Sequence, residues 1–208
     1  MTQTIGIIGS GMIGGQLARL SVAAGFDVIL SNPRSPDSIT DLVRELGERG
    51  RAATPPDAAR ASDLVVAAIP FRVYTKLPAE ALVGKIVIDT MNYYPERDGI
   101  MREVKTDTIS TSELVQRHLS ESYVVKAFNN MDYIRLFACA RPKGSRERSA
   151  VPVAGDNVEA KTVVMQFIDT IGYDAVDMGR LADSWRSEPT TPVYDSQILH
   201  RSQISGDL

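Results

Sequence analysis

A glycine pattern near the N-terminus could hold a phosphate-containing ligand. Gly9, Gly11 and Gly14 follow the G-x-G-x-x-G spacing, directly after the apolar run 4–8 and at the start of a helix-like stretch over 13–24. In this context Gly9 permits a tight turn, Gly11 lets the backbone approach a pyrophosphate, and Gly14 lets the helix pack closely on the strand. The phosphates would then bind the free N–H groups at the start of the helix. The alternative is an ordinary glycine-rich turn, but the order of strand, glycines and helix favours a dinucleotide site.

The end of the second predicted strand indicates which dinucleotide would bind. An NAD site usually carries an Asp or Glu here, which binds the ribose 2′-hydroxyl. This chain instead has Ser31, Asn32 and Arg34 after the strand 27–30, and no carboxylate before Asp37. A hydroxyl, an amide and a guanidinium suit the 2′-phosphate of NADP, and the arginine offers a charge-assisted contact. We therefore predict an NADP site; the alternative is that Arg34 only begins the next helix in solvent.

Further candidates lie where the later strands end, because ligands of an open parallel sheet bind outside the carboxyl ends of its strands. We assign cofactor contacts to the first two of these segments and the second substrate to the third: Ala68, Ile69 and Pro70; Asn92; and Phe128, Asn129, Asn130 and Met131. The third segment combines an aromatic ring, two amides and a flexible apolar side chain, which suits a flat heteroaromatic ring. The alternative is that Phe128 and Met131 belong to the core and that the asparagines cap a turn.

Proton-transfer side chains are scarce at these strand ends. Enzymes that oxidise alcohols or hydroxy acids need a general acid or base, usually His, Lys or Tyr. His118 falls in a predicted helix and His200 in the tail, which leaves Lys126 as the one lysine at a useful strand end. Hydride passage between two redox rings requires positioning instead. We therefore predict no catalytic side chain, and a chain with 1 Cys and 2 His is not expected to build a metal site.

The elements that must position these residues alternate between strand and helix. Beyond the first two strands, we predict strands over 52–54, 64–69, 85–89, 123–128, 150–154 and 175–178. Helices are predicted over 36–46, 112–118 and 156–171, the last with an Asp156–Glu159 capping box. This alternation predicts an α/β fold with a doubly wound, mostly parallel sheet of the Rossmann type and a small C-terminal α/β extension. We expect a dinucleotide-binding core over 1–120 and an extension over 121–208 that completes the second-substrate site, together one compact domain.

Composition and charge argue against several other classes of function. The 208 residues carry a formal net charge of −3, which argues against nucleic acid as the main partner. No apolar run approaches the length that spans a membrane, and the sequence starts directly with a strand rather than a signal peptide. Cys139 is the single cysteine, so an internal disulfide is excluded. We expect a cytoplasmic homodimer whose partner is a small-molecule redox co-substrate.

Five segments together resemble a known family: IGIIGSGMIG over 5–14, VILSNPR over 28–34, VAAIP over 66–70, VVKAFN over 124–129 and VPVAGD over 151–156. They are similar to the NADP reductases that use the deazaflavin coenzyme F420, and the resemblance covers almost the whole chain. The reductase domain of the six-transmembrane ferric reductases is similar as well. The resemblance implies an NADP-dependent oxidoreductase that passes hydride to or from a deazaflavin. The alternatives are an NADPH-dependent flavin or ferric reductase and a non-catalytic NADPH-binding redox sensor.

The resemblance also implies roles for individual residues. Ser10, Met12 and Ile13 would line the pyrophosphate loop with the glycines; Ser31, Asn32 and Arg34 would take the 2′-phosphate; Ile69 and Pro70 would lie beside the nicotinamide; and the deazaflavin would contact 128–131. Two features depart from the family. Asn32 and Pro33 separate Ser31 from Arg34, and the basic loop 141–148 is longer. That loop would bind a phosphate or the oligoglutamate tail of the coenzyme, or would be an ordinary surface loop.

Overall fold

An eight-stranded sheet forms the centre of the computed structural model, which describes residues 3–101, 104 and 109–195. Its spatial order is β3-β2-β1-β4-β5-β6-β7-β8, and every neighbouring pair is parallel except β6 with β7. The strands are β1 Thr4–Ile8, β2 Asp27–Ser31, β3 Gly50–Ala53, β4 Leu64–Ala67, β5 Ile86–Asp89, β6 Tyr123–Lys126, β7 Ala150–Gly155 and β8 Asp174–Gly179. The predicted α/β fold with a doubly wound, mostly parallel sheet is confirmed.

Helices connect the strands and cover both faces of the sheet. The α-helices are α1 Met12–Ala23, α2 Thr40–Leu46, α3 Pro55–Arg60, α4 Ala79–Leu82, α5 Pro95–Asp98, α6 Thr111–His118, α7 Tyr133–Ala138, α8 Val158–Thr170 and α9 Pro192–Asp195. Shorter 3₁₀ turns occupy Pro36–Ile39, Gly47–Arg49, Phe71–Lys76 and Leu181–Ser187. No helix among the described residues is long and apolar enough to cross a lipid bilayer.

Two hydrophobic cores lie on opposite faces of the sheet, because successive strand residues point to opposite sides. In β4, Leu64 and Val66 belong to one core, whereas Val65 and Ala67 belong to the other. All four residues of β4 are buried, as expected for a central parallel strand that is covered on both faces. Helices α1 and α8 pack into the first core, and α4 and α6 pack into the second.

The start of α8 differs from the prediction. Asn157, not Asp156, is the N-cap residue, and its side-chain oxygen accepts a hydrogen bond from the N–H of Ala160 at 2.8 Å. The carboxylate of Asp156 accepts instead from the N–H of Leu181 at 3.1 Å. Asp and Asn are both good N-cap residues. The helix begins one position later than predicted because Asp156 is used by its contact with Leu181.

The segment after β8 lies along the edge of the sheet that carries the glycine turn. Strand β8 runs antiparallel to β6 in direction, but the register Lys126–Ala154–Gly179 places the end of β8 level with the end of β6. Leu181 then packs into the second core, and Ser187 reaches Asn129 just beyond β6. The sheet is therefore continuous across the predicted boundary at residue 120, and the division into core and extension stays a prediction.

Candidate active site

A cleft opens at the carboxyl edge of the sheet, between β1 and β4, where the order in which successive strands are added to the sheet reverses. Such a reversal is the usual ligand site of a doubly wound sheet. The cleft measures about 360 Å³ and is lined by three groups of residues that the sequence placed at strand ends. They are Gly11, Met12 and Ile13; Ala68, Ile69, Pro70 and Asn92; and Phe128, Asn129 and Met131. The fold thus brings most of the predicted site residues together.

The three motif glycines are required for different reasons. Gly9 has φ +115°, and a Cβ there would lie 2.2 Å from the carbonyl oxygen of Ala68. A Cβ on Gly14 would lie 1.8 Å from the carbonyl oxygen of Gly9, so the helix can approach the turn only without a side chain. A Cβ on Gly11 would meet nothing within 4 Å. Gly11 therefore leaves open space over the backbone, as a pyrophosphate would need.

The first turn of α1 offers hydrogen-bond donors beside that space. Gly11 is the N-cap residue of α1, and no side chain caps the helix. The leading N–H groups of a helix have no intrahelical partner and favour an anion. Ser10 and Ile13 are partly exposed beside the turn, and Met12 is 64% exposed. These residues fit the predicted phosphate loop.

Asn32 organises the loop that follows β2. Its side-chain oxygen accepts hydrogen bonds from the N–H groups of Arg34 at 2.9 Å and Ser35 at 3.2 Å. Its amide nitrogen donates to the hydroxyl of Ser38 at 2.8 Å and to that of Ser10 at 3.4 Å. Asn32 is only 5% exposed, so it shapes the loop and ties it to the glycine turn. The side chain of Arg34, in contrast, is exposed, and no hydrogen bond or ion pair ties it to another part of the described chain.

Ser31 does not face the same space. Its hydroxyl is fully buried and donates to the carbonyl oxygen of Ile7 at 3.1 Å, within the sheet. Alternation along β2 puts the side chain of Ser31 on one face of the sheet, which is covered at this position. The hydroxyl of Ser31 is thus turned away from solvent, its contact with a 2′-phosphate stays a prediction, and Arg34 is the cationic group of this loop.

Phe128 begins the turn after β6 with an unusual backbone conformation, φ 65°. Its ring is fully buried and meets Phe167 and Tyr173 edge to face, with ring centroids 6.4 Å apart in both pairs. Phe128 borders the cleft, but its ring belongs to the core and offers no face to a second ring. Asn130 is 2% exposed, does not line the cleft, and its amide has no hydrogen-bond partner within the described part of the chain. Asn129 and Met131 also line the cleft, and Met131 packs into the first core as Phe128 does. The assignment of a second substrate to 128–131 stays a prediction.

Asn92 and Asn129 form the floor of the cleft. The amide of Asn92 donates to the carbonyl oxygen of Asn129 at 2.7 Å, and the amide of Asn129 donates to the side-chain oxygen of Asn92 at 3.2 Å. Asn129 also donates to the carbonyl oxygen of Ser187 at 2.6 Å and accepts from the Ser187 hydroxyl at 3.2 Å. The β5 end, the β6 end and the C-terminal segment are therefore locked to one another at the site.

Lys126 does not reach the cleft. Its ammonium is 1% exposed, lies 3.4 Å from the buried carboxylate of Asp89 and donates to the carbonyl oxygen of Met91 at 2.6 Å. The same carboxylate accepts from the hydroxyl of Ser112 at 2.7 Å and from the N–H of Met91 at 2.9 Å. Lys126 thus fixes the backbone that leads into Asn92, and its position is not that of a proton donor to a substrate.

The sequence analysis did not single out seven of the residues that line the cleft: Thr90, Met91, Tyr94, Arg97, Asp132, Tyr133 and Tyr194. The hydroxyls of Tyr94 and Tyr194 are hydrogen-bonded to each other across a separation of 100 residues. Tyr94 follows the end of β5, so its place after a strand was a usable signal. No local signal marks Tyr194, because the path of the C-terminal segment brings it to the cleft.

The Arg97 guanidinium is held by its neighbour Asp98. The hydrogen bond that Arg97 donates to the carboxylate of Asp98 raises the pKa of Arg97. For Asp98, burial raises the pKa, but the hydrogen bonds from Arg97 and from the N–H of Tyr94 outweigh it and lower the pKa overall. Both side chains are therefore charged at neutral pH.

The remaining candidates lie away from the cleft. His118 contacts the carbonyl oxygen of Leu77 through Nε2 at 2.9 Å, and His200 lies outside the described residues. In the basic loop, Arg148 is 4% exposed and binds Asp169 and Asp174. Lys143 also binds Asp169, at 2.9 Å, and Arg141 donates to two nearby carbonyl oxygens. These three cations fasten the loop to its surroundings, whereas Arg146 is exposed, and the binding of an anion by the loop stays a prediction.

The fold and the open glycine turn define a class of protein, a doubly wound fold of the dinucleotide-binding type. A profile of the family described as "NADP oxidoreductase coenzyme F420-dependent" matches residues 4–93. An F420-dependent NADP reductase of Methanocaldococcus jannaschii is 33% identical over 158 residues, which cover 72% of this chain and 69% of that protein. The chain belongs to this family of NADP-dependent oxidoreductases, as the resemblance of its motifs predicted.

Other relatives are similar over different extents. Metalloreductase STEAP3 of Rattus norvegicus is 29% identical over 182 residues, which cover 86% of this chain and 34% of that protein. YjhV of Escherichia coli is 49% identical over 53 residues, 26% of this chain and 39% of that protein. The chain thus spans little more than a third of the length of these two relatives. The solved structure of SMa0349 from Sinorhizobium meliloti matches with a TM-score of 0.80 at 29% identity, covering 92% of each chain.

Proposed function

We propose that this protein transfers hydride between NADP(H) and a deazaflavin or flavin-type ring. The observation that carries the proposal is one cleft that joins the open glycine turn to the Asn129 and Met131 side, past Ile69 and Pro70. The described residues that line it include no histidine and no lysine. Bound NADPH would supply a hydride, which is two electrons and one proton, and water would supply the second proton that completes reduction of the acceptor ring. The chain itself would bind and orient both rings.

The preference for NADP rests on Arg34. Its exposed side chain lies on a loop that Asn32 holds against the glycine turn, and no carboxylate stands between β2 and Asp37. A 2′-phosphate would gain a charge-assisted contact there, whereas the 2′-hydroxyl of NAD would not. This contact would also fix the adenosine end of the cofactor relative to the turn at Gly11.

The acceptor that the family supports is the deazaflavin coenzyme F420. A flavin or a ferric chelate is the alternative within redox chemistry. The hydroxyls of Tyr94 and Tyr194 in the cleft favour a second candidate, reduction of a carbonyl or imine group, because such a reaction needs a proton donor. A non-catalytic NADPH sensor would bind NADPH but would not oxidise it, whichever of these acceptors is present.

The test is a panel of acceptors. Purified protein is mixed with NADPH and, in separate reactions, with F420, FMN, FAD, riboflavin, a ferric chelate, a ketone and a cyclic imine, and the NADPH absorbance is followed. We expect oxidation with F420 or a flavin, and none with the ketone or the imine. Oxidation by the ketone or imine alone would contradict ring-to-ring transfer. Binding of NADPH without oxidation by any acceptor would support the sensor instead.

We also propose that the protein is a cytoplasmic homodimer. The outer face of α7 supports the dimer, since Ile134 is 64% and Phe137 47% exposed next to the cleft residue Tyr133. A second copy would cover these apolar side chains. Light scattering measures the mass of the wild type, expected as a dimer, and of Ile134→Lys, expected as a monomer because the lysine lies in the contact. A monomeric wild type would contradict the proposal.

A further inference from the structure

Arg97 is a fixed cation on the wall of the cleft. Its Nε and Nη2 atoms donate to the two oxygens of Asp98 at 2.9 and 2.8 Å, and Nη2 also donates to the carbonyl oxygen of Asn92 at 2.6 Å. The guanidinium carbon lies 4.8 Å from the centre of the Tyr94 ring. An arginine held on three sides loses little conformational freedom when it binds a ligand.

One edge of the same guanidinium is still available. Nη1 has two N–H groups, and neither has a hydrogen-bond partner among the described residues. The side chain is 41% exposed, whereas that of Asp98 is completely buried beneath it. Asp98 is further occupied by the N–H groups of Tyr94 at 2.9 Å and Arg72 at 3.4 Å. Asp98 therefore acts as the anchor, and the free edge of Arg97 is the part that a ligand can reach.

The charges that line the cleft are uneven. Among the described lining residues, Arg97 is the cation and Asp132 is the carboxylate. Asp132 is the N-cap of α7, and its oxygen accepts from the N–H of Ile134 at 2.8 Å. The helix cap thus uses one oxygen of Asp132, whereas the guanidinium keeps two N–H groups that have no partner among the described residues. An entering molecule therefore meets a donor pair suited to an oxyanion.

We propose that Arg97 determines the specificity of the second-substrate site by binding an anionic oxygen of the acceptor. The inference rests on the proposed function, because it names the kind of molecule that the same cleft takes. The acceptor class is a tricyclic redox ring that carries a negative charge. The oxygen belongs either to a phosphate on the side chain of the acceptor or to an ionised hydroxyl on its ring, and both present an oxyanion to the same edge of the guanidinium.

The experiment compares rings with and without each charge. Binding of riboflavin, FMN, 8-hydroxy-5-deazaflavin without the phosphate chain, and F420 is measured by fluorescence titration in the presence of NADP⁺. The proteins are wild type, Arg97→Gln, Arg97→Lys and Arg60→Gln. Arg60 is the matched control, since it is a partly exposed arginine on α3, ahead of β4 and hence at the opposite edge of the sheet.

In wild type we expect FMN or the hydroxydeazaflavin to bind at least about tenfold more tightly than riboflavin, as one charge-assisted contact would give. Arg97→Gln should remove this preference and leave the riboflavin and NADP⁺ affinities within about twofold, while Arg97→Lys should keep part of it. If Arg97→Gln weakens the binding of FMN, the oxygen that Arg97 binds belongs to the phosphate. If Arg97→Gln weakens the binding of the hydroxydeazaflavin, that oxygen is the ionised hydroxyl of the ring. Arg60→Gln should behave as wild type.

Several outcomes would overturn the proposal: equal weakening of all acceptors by Arg97→Gln, loss of NADP⁺ affinity alone, no preference in wild type, or no acceptor binding at all. The melting temperature of each variant shows whether it is folded, and Arg97→Lys remains informative if Arg97→Gln is not. Turnover separates this inference from the proposed function. If acceptor binding depends on Arg97 but NADPH is not oxidised, the anion site is supported and hydride transfer is refuted. If NADPH is oxidised but acceptor binding does not depend on Arg97, hydride transfer is supported and the anion site is refuted.

Discussion

Asn92 and Asn129 exchange two hydrogen bonds across the carboxyl ends of β5 and β6, at 2.7 and 3.2 Å. Through Ser187 the same pair holds the C-terminal segment against the sheet. The floor of the cleft is therefore built by amides that bind one another, and its shape depends on residues that are far apart in the chain. This relationship gives the first prediction.

Replacing Asn129 with alanine should damage both stability and acceptor binding. The substitution leaves the buried carbonyl oxygen of Ser187 without its donor, which costs about 1–3 kcal/mol of unfolding free energy. The KM for the acceptor should rise, and the KM for NADPH should change less. Asn157→Ala is the control: it removes the N-cap of α8 for about 1 kcal/mol and should not affect kinetics. Unfolding in urea and steady-state rates give both quantities, and an unchanged acceptor KM in Asn129→Ala would count against the site.

Gly11 and Gly14 should fail in different ways when a side chain is added. Gly11→Val should stay folded, because its Cβ meets nothing within 4 Å, but the valine would occupy the space of the pyrophosphate. Gly14→Ala should unfold or melt far lower, because its Cβ would lie 1.8 Å from a backbone oxygen.

Thermal unfolding with and without NADPH separates the two glycine variants. A ligand at a hundred times its Kd stabilises the folded state by about 2.7 kcal/mol. Gly11→Val should lose this stabilisation while keeping the melting temperature of the ligand-free protein. NADPH stabilisation equal to that of wild type would mean that the turn does not hold the phosphates.

Arg34→Ala should weaken NADP binding about tenfold or more and leave NAD binding nearly unchanged. The reason is the loss of one charge-assisted contact to the 2′-phosphate, which contributes roughly 1.5–3 kcal/mol. Calorimetric titration with both cofactors measures the effect. Arg44→Ala is a suitable control, since Arg44 is 72% exposed and pairs with Asp41 on the same region of the surface. Equal losses for both cofactors in Arg34→Ala would show that the arginine does not read the 2′-phosphate.

Lys126→Met should destabilise the protein strongly, by about 3–5 kcal/mol, because it leaves the carboxylate of Asp89 buried without a countercharge. The double variant Lys126→Met with Asp89→Asn removes both charges and should recover part of that loss. Lys143→Met is the matched control, because the Lys143 side chain is 84% exposed and its pair with Asp169 contributes at most about 1 kcal/mol. Urea unfolding measures all three, and a Lys126→Met effect as small as that of Lys143→Met would refute a role for the pair in stability.

His118→Ala, Cys139→Ser and Tyr94→Phe should each keep kcat within a few-fold of wild type. If hydride passes between two rings, position sets the rate, whereas a general acid or base contributes roughly 10²–10⁴-fold. His118 binds a backbone carbonyl outside the cleft, and Tyr94 is the one of the three that lines it. Rates with the best acceptor decide the matter. A hundredfold loss in Tyr94→Phe would instead indicate a carbonyl or imine substrate.

The sequence by itself determined the glycine turn, the strands and the absence of a carboxylate after β2. These features are local: a positive φ at Gly9, a fully apolar run at 64–67 and the spacing of three glycines each restrict the backbone within a few residues. Their order along the chain was sufficient to predict a doubly wound sheet and the edge at which the ligand would bind, because parallel strands place their carboxyl ends together.

The tertiary structure decided which of these residues face the cleft. Ser31 turns to Ile7 and Phe128 turns into the core, since each side chain follows the packing of neighbouring strands and helices rather than its position in a motif. Tyr194 reaches Tyr94 because the segment after β8 runs along the carboxyl ends of β6 and β5, where Asn129 holds Ser187. Arg97 gains its orientation from the buried Asp98. Long-range contacts of this kind arise from folding the whole sheet, and no local pattern encodes them.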